Sequence, residues 1–414
     1  MKPAVWLVAL SVLSLLPRLL RSQPCSRSGL TDAVRDAKSI RAQLLLYKVG
    51  YHGTDESVPP ALQAQIAAYK DALATIASAE LKCTPPRVEA STVEMEVARL
   101  IDANKRQADQ PYDPNDTRKE IDEIYGWDPG VKVSRPGNAP GLLLIEFEFG
   151  IDCGYDAMLL GFEVQGSEWV RVLRWQSGNY DSVDAAFGDF FKYLVLAGTR
   201  GQWQIAVAHG HPWCTSNISA FDVDLIRPAV NGEPQRVLAH EQRIYRREED
   251  PVMKAVPGGF EFRMIGDSID PLIVMRPVIY RFAVDSGQMT RVQPLANNGR
   301  DFVDEWLQSP WNEASRWSDA ESLDLLKAEH DLVSKRYSSQ DAPLQDFGPV
   351  RGCTDSPSHF QVEFDTKWLD EKGKAIRAEE AYFQIAEGKN SFTMLSASNT
   401  PDAHCTGRDI MPPN

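Results

Sequence analysis

The sequence predicts an α+β protein. An N-terminal helical layer is packed with a predominantly antiparallel β-domain, sandwich-like in the first reading and propeller-like in the alternative, and a small C-terminal α+β part follows. Three observations carry this expectation. Apolar residues recur at three- and four-residue spacing through 31–104, they alternate at a spacing of two from 142 to about 297, and one amphipathic helical stretch at 318–337 precedes a last group of alternating segments.

The expected segments are 1–23 as a signal peptide, 24–104 as helices, 105–141 as a connector, 142–300 as the β-domain and 301–414 as a helix with a small β-region. In MKPAVWLVALSVLSLLPRLLRSQ, basic Lys2 is followed by an apolar run from Ala4 to Leu16 and then by polar residues, the layout of a secretory signal. An uncleaved anchor is the alternative, because Arg18 and Arg21 sit where small neutral residues suit cleavage. With 43% hydrophobic and 25% charged residues, the remainder has an ordinary globular composition.

Thr31 reads as an N-cap, with Val34, Ala37, Ile40, Leu44 and Tyr47 on one helical face. A second helix repeats the pattern with Leu62, Ile66, Tyr69, Leu73 and Ile76, and a third carries Val93, Val97 and Leu100. The polar, Pro-, Gly- and Asp-rich stretch 105–141 holds one short helix near Ile121–Tyr125. Its Asp113, Asn115 and Asp116 do not make a calcium loop, since Arg118 stands at the turn-glycine position and Ile124 at that of the bidentate Glu.

The β-region opens with LLLIEFEFG, in which Ile145, Phe147 and Phe149 oppose Glu146 and Glu148. Further on, Phe221, Val223 and Leu225 alternate with Asp222 and Asp224. Similar runs through VIYRFAV predict sheets with one dry and one wet face, and place these carboxylates on the wet one. No glycine-rich phosphate loop follows any strand, which excludes a dinucleotide-binding reading as far as pattern can. Ser318 and Glu321 form the capping box SDAE before a helix carrying Leu323, Leu326, His330, Val333 and Tyr337; FQVEFD and the hairpin AYFQIAEGKNSFTMLS supply the last strands.

Six cysteines, at 25, 83, 153, 214, 353 and 405, suit an oxidising compartment, and the export signal makes that compartment periplasmic or extracellular. The preferred pairs are Cys25–Cys83, Cys153–Cys214 and Cys353–Cys405, each inside one segment. A net charge of −14 without a basic, aromatic-interleaved block excludes nucleic acid as a partner, and no later segment is apolar and long enough for membrane insertion.

Two constellations stand out. In AVAHGHPWC a continuous strand puts His209 and His211 on the face of Trp203, Ile205 and Val207, where they either close the end of a core or hold a divalent metal. The metal reading needs a third ligand such as Asp152, Asp222, Asp224 or His240. Trp306, Trp311 and Trp317 either pack a helix on the sheet or present rings to a glycan or protein partner, with Trp311 after Pro310 the best placed for exposure. HEQRI, with Ile244 in fifth place, is not the zinc-protease motif, and no catalytic nucleophile is marked. The expected function is a non-catalytic binding or interaction module without cofactor, the alternative a metal-dependent hydrolase using His209 and His211.

Overall fold

The computed structural model describes residues 28–47, 58–103, 125–151, 154–178, 190–197, 203–210, 218–219, 221–227, 244–245, 251–271, 273, 275–285, 288–337 and 343–411. Helices combine with four antiparallel sheets, so the chain is α+β. Among the described residues no helix is long and apolar enough to cross a membrane. The signal segment lies outside them.

Helices α1 (Ser28–Leu44), α2 (Pro60–Lys82) and α3 (Ala90–Ile101) bury most of the faces their spacing predicts, but Thr31 lies inside α1 rather than at its N-cap, and Tyr47 lies beyond its end and is exposed. Pro60 occupies the first turn of α2, where a missing N–H costs no helical bond; Asp102 closes α3 in the left-handed region at φ 53°. The first sheet has the order β1 (Trp127–Ser134), β2 (Leu142–Ile151), β3 (Gly154–Gln165), β4 (Glu168–Gln176). Strand β1 lies within the stretch read as connector. Gly150 is required opposite it, because a Cβ there would stand 1.8 Å from Trp127 Nε1.

A three-stranded sheet follows, β5 (Phe191–Ala197), β6 (Trp203–Gly210) and β8 (Phe221–Ile226), with β6 central. The third sheet is ordered β13-β12-β11-β9-β7, with β10 also on β11; these are β7 (Ile218–Ser219), β9 (Ile244–Tyr245), β10 (Val252–Val256), β11 (Gly259–Asp267), β12 (Met275–Asp285) and β13 (Gln288–Val292). After α4 (Gly299–Gln308), the single turn α5 (Trp311–Ala314), a 3-10 turn at Ser315–Trp317 and α6 (Leu323–Tyr337), the fourth sheet runs β14 (Leu344–Gly352), β15 (His359–Leu369), β16 (Ala375–Glu387), β17 (Phe392–Ser398) in chain order.

The layers stack in series. Leu143, Ile145, Phe147 and Phe149 bury one face of the first sheet against the helices, while Leu142 and Leu144 bury the other against Ile205 and Val207 of the second. The second sheet's reverse face, with Ala206, Ala208, Phe221 and Val223, packs on Phe260, Phe262, Tyr280 and Phe282 of the third. Each such large apolar side chain contributes about 1.5–3 kcal/mol on burial. Phe302, Val303 and Trp306 of α4 cover Val362, Phe364, Phe383 and Ile385 of the fourth sheet. Because both faces of the first and second sheets are covered, the expected wet face is absent there: Glu146, Asp222 and Asp224 are buried.

Charge fixes two of these junctions. Lys70 of α2 reaches Asp156 of β3 at 3.1 Å, both side chains being at most 1% exposed. Between the third sheet and α4, Arg276 pairs with Asp304 at 2.5 Å and Glu305 at 2.8 Å, and Arg291 pairs with Glu305 at 2.8 Å. Although burial works the other way, the two guanidiniums hold the Glu305 carboxyl down at about 2. Asn298 caps α4 by accepting from the Asp301 N–H at 2.9 Å.

The expected capping box does not form. Helix α6 begins at Leu323, and the Ser318 hydroxyl is engaged by Trp306 Nε1 at 3.0 Å and the Ala314 carbonyl at 2.8 Å. Tertiary demand from a buried indole displaces the local cap, and Asp319 accepts from the Glu321 N–H instead.

Candidate functional site

His209 stands where its strand position predicts, on the face of β6 turned toward the first sheet. It is 3% exposed, directly opposite Asp222 on β8 and Phe191 on β5, with its ring 5.3 Å from that of Trp175. Trp175 Nε1 donates to Asp224 Oδ2 at 2.9 Å. The same interface holds a hydrogen bond between Ser134 and Tyr193 at 3.3 Å and one from Trp203 Nε1 to Glu163 at 2.5 Å. These polar contacts cross from one sheet to the other and fix how the two lie together.

His211, Asp152 and His240 lie outside the described residues, and among the described residues no three potential ligands gather. The Trp175 ring packs against His209, and Phe191 stands opposite it on β5.

The tryptophans also face inward. Trp306 is completely buried, its Nε1 donating to the Ala314 carbonyl at 3.2 Å as well as to Ser318, and Trp317 is buried beneath the Arg291 guanidinium at 5.5 Å. Rings without solvent-facing surface pack a helix rather than hold a ligand. Trp311 is partly exposed, but its indole leans on Trp306 and on His330, whose Nε2 shares a 2.8 Å hydrogen bond with the Ser309 carbonyl. Cys353 and Cys405 are bonded as expected, and Cys83 is disulfide-bonded; Cys25, Cys153 and Cys214 lie outside the described residues.

A set of charges that sequence reasoning passed over lies on the outer face of the fourth sheet. Strand β15 places Glu363, Asp365 and Lys367 on the face opposite Val362, Phe364 and Thr366. The register sets Asp365 directly between Asp346 of β14 and Glu380 of β16, and Glu363 opposite Tyr382. Lys367 bridges Asp346 at 2.8 Å and Asp365 at 3.2 Å, and the Tyr382 hydroxyl donates to Glu380 at 2.5 Å.

Space for Glu363 comes from the β14 bulge, where a Cβ on Gly348 would meet its side chain at 2.8 Å. Partial burial together with the charges of Asp365 and Glu380 raises the Glu363 carboxyl above its ordinary value. Asp365, with 22% of its side chain exposed, and the exposed Glu380 keep this face within reach of solvent. Chemically, the face offers an acid held toward its neutral form beside carboxylates paired to a lysine and a phenol. Its signal in the sequence is FQVEFDTKW, which repeats charge at every second residue; only the hairpin register brings Glu380 and Tyr382 alongside.

No family model and no curated protein matches the chain. Solved structures retrieved by shape include an α-L-arabinanase of Penicillium chrysogenum complexed with arabinobiose, at 9% identity over 67% of this chain and 68% of that one, TM-score 0.24. An α-L-arabinofuranosidase from Fusarium graminearum gives 6% identity over 67% of each chain, TM-score 0.26. A xylan β-1,4-xylosidase from Bacillus halodurans gives 8% over 67% of this chain and 46% of that one, TM-score 0.19. At these scores none assigns a fold or an activity to the chain. The expectation of a non-catalytic binding module is corrected at its own observation: Trp306 and Trp317, two of the three tryptophans meant to bind a partner, are buried in the core.

Proposed function

We propose that the chain is an exported hydrolase that cleaves glycosidic bonds with a carboxyl pair on the outer face of its C-terminal sheet. The observation that carries the reading is the raised Glu363 carboxyl next to Asp365, which is ion-paired to Lys367 on a solvent-reachable surface. Acetal cleavage needs a neutral acid to protonate the leaving oxygen and an ionised carboxylate to attack or to activate water. Residues two apart on a strand are separated by about 7 Å, within the range of roughly 5–9.5 Å that carboxyl groups span across a glycosidic bond. Glu363 is the donor and Asp365 its partner, with Lys367 orienting Asp365 and Tyr382 holding Glu380 beside them. Export is supported by the Cys353–Cys405 disulfide.

The test is hydrolysis of aryl glycosides and plant or microbial polysaccharides by the wild type, Glu363→Gln and Asp365→Asn. A loss of 100-fold or more in kcat for either folded variant is expected, with wild-type activity declining on the alkaline side as Glu363 loses its proton. Full activity in both variants, or none in the wild type on any glycan, overturns the reading.

A further inference from the structure

After β17 the chain folds back over the outer face of the fourth sheet and runs across it to β14. The Asp402 carboxylate accepts from the side-chain amide of Gln384 on β16 at 2.6 Å, and the Asp402 N–H donates to Gln361 Oε1 of β15 at 2.7 Å. Further on, the Gly407 carbonyl accepts from Arg351 of β14 at 3.1 Å, and the Ile410 N–H donates to the Val350 carbonyl of the same strand at 2.9 Å. The Cys353–Cys405 disulfide ties down the middle of this strap. Gln361 lies beneath it, 3% exposed.

Register fixes where the strap stands relative to the carboxyl pair. Arg351, Gln361 and Gln384 oppose one another in a single row across β14, β15 and β16, and Glu363 with Tyr382 makes the next row. Successive rows on one face are two residues apart along a strand, a rise of about 7 Å. Between Glu363 and the strap there is therefore room for one sugar ring and no second. On the other side, past Asp365 and Lys367, no segment among the described residues is hydrogen-bonded across the face, and Leu369 and residues 371–378 are exposed. The site is walled at one end and open at the other.

We infer that the enzyme acts at the ends of linear glycans: the terminal sugar sits between Glu363 and the strap, and the rest of the chain leaves past Lys367. Each event adds one water across the terminal glycosidic bond and releases one monosaccharide. This rests on the proposed cleavage by Glu363 and Asp365.

The experiment follows the first products from linear hexasaccharides of xylose, glucose, galactose and arabinose. It compares the purified full-length exported protein, Glu363→Gln, and a loosened-strap variant carrying Cys353→Ser, Cys405→Ser and Asp402→Ala. The wild type should give monosaccharide and pentasaccharide in equal amounts, without fragments of intermediate size. The loosened variant should also release di-, tri- and tetrasaccharides, whereas a strap with a purely structural role would lower the rate and leave product sizes unchanged, which overturns its part in the proposal. Internal fragments from the wild type that vanish in Glu363→Gln overturn this inference and leave the cleavage reading standing. Absence of Glu363-dependent hydrolysis overturns both together. If the loosened variant does not fold, the wild-type product sizes alone decide.

Discussion

Glu305→Gln is the sharpest probe of how the two halves of the chain are joined. The wild-type carboxylate lies between Arg276 and Arg291, both pairs at 2.8 Å, with every side chain about 2% exposed. Its carboxyl falls from 4.5 to about 2 on folding. At 1.36 kcal/mol per unit that displacement is worth about 3 kcal/mol, and breaking a buried pair by removing one partner costs about 3–5 kcal/mol. Glutamine keeps the volume, but leaves Arg276 with Asp304 and Arg291 with Glu313 at 3.7 Å.

Because the folded value is depressed, the contribution is complete above pH 4.5 and vanishes as pH falls toward 2. Denaturant unfolding of wild type and variant, followed by tryptophan fluorescence, should differ by about 3 kcal/mol at pH 7, and the gap should close progressively below pH 4.5. In heating scans that difference corresponds to several degrees, at about 2–4 °C per kcal/mol. A gap under about 1 kcal/mol at pH 7, or one that stays constant down to pH 2.5, would refute the assignment of this energy to the Glu305 charge.

Lys70→Met should destabilise the helical layer by about 3–5 kcal/mol because it strands Asp156 in an apolar interface, whereas Lys70→Met with Asp156→Leu should recover most of the loss. Urea melts of both decide it, and equal losses would mean that packing volume rather than charge is responsible. Removing the Cys353–Cys405 bridge as the double serine variant opens a separation of 52 residues, for which loop closure predicts about 4 kcal/mol. Calorimetry with and without reductant measures it; an unchanged transition would show that the fourth sheet does not need the staple.

Much of the local structure was legible. Leu62, Ile66, Tyr69, Leu73 and Ile76 are buried on the helix face their spacing requires, and His209 shares a strand face with Trp203, Ile205 and Val207. Period reports which residues share a face. It does not report whether the opposite face meets water, and that is where the reading of Glu146, Asp222 and Asp224 failed: a further layer covers a sheet face whose alternation looked amphipathic. Ser318 illustrates the same limit at a helix start, where a hydroxyl suited to a local cap is claimed by Trp306 from twelve residues away.

The candidate carboxyl site was half visible. Glu363, Asp365 and Lys367 share a face by strand geometry alone, but Asp346, Glu380 and Tyr382 join them only through inter-strand register, which depends on hairpin and bulge positions. By itself the sequence determined the alternation of elements and the apolar face of most helices and strands, because these depend on neighbours along the chain. Only the tertiary structure decided which charges are sealed, which are paired across strands and which face solvent. The depressed carboxyl of Glu305 arises from Arg291 and Arg276, distant in sequence, and the raised one of Glu363 from burial, from Asp365 two residues along its strand and from Glu380 across the hairpin.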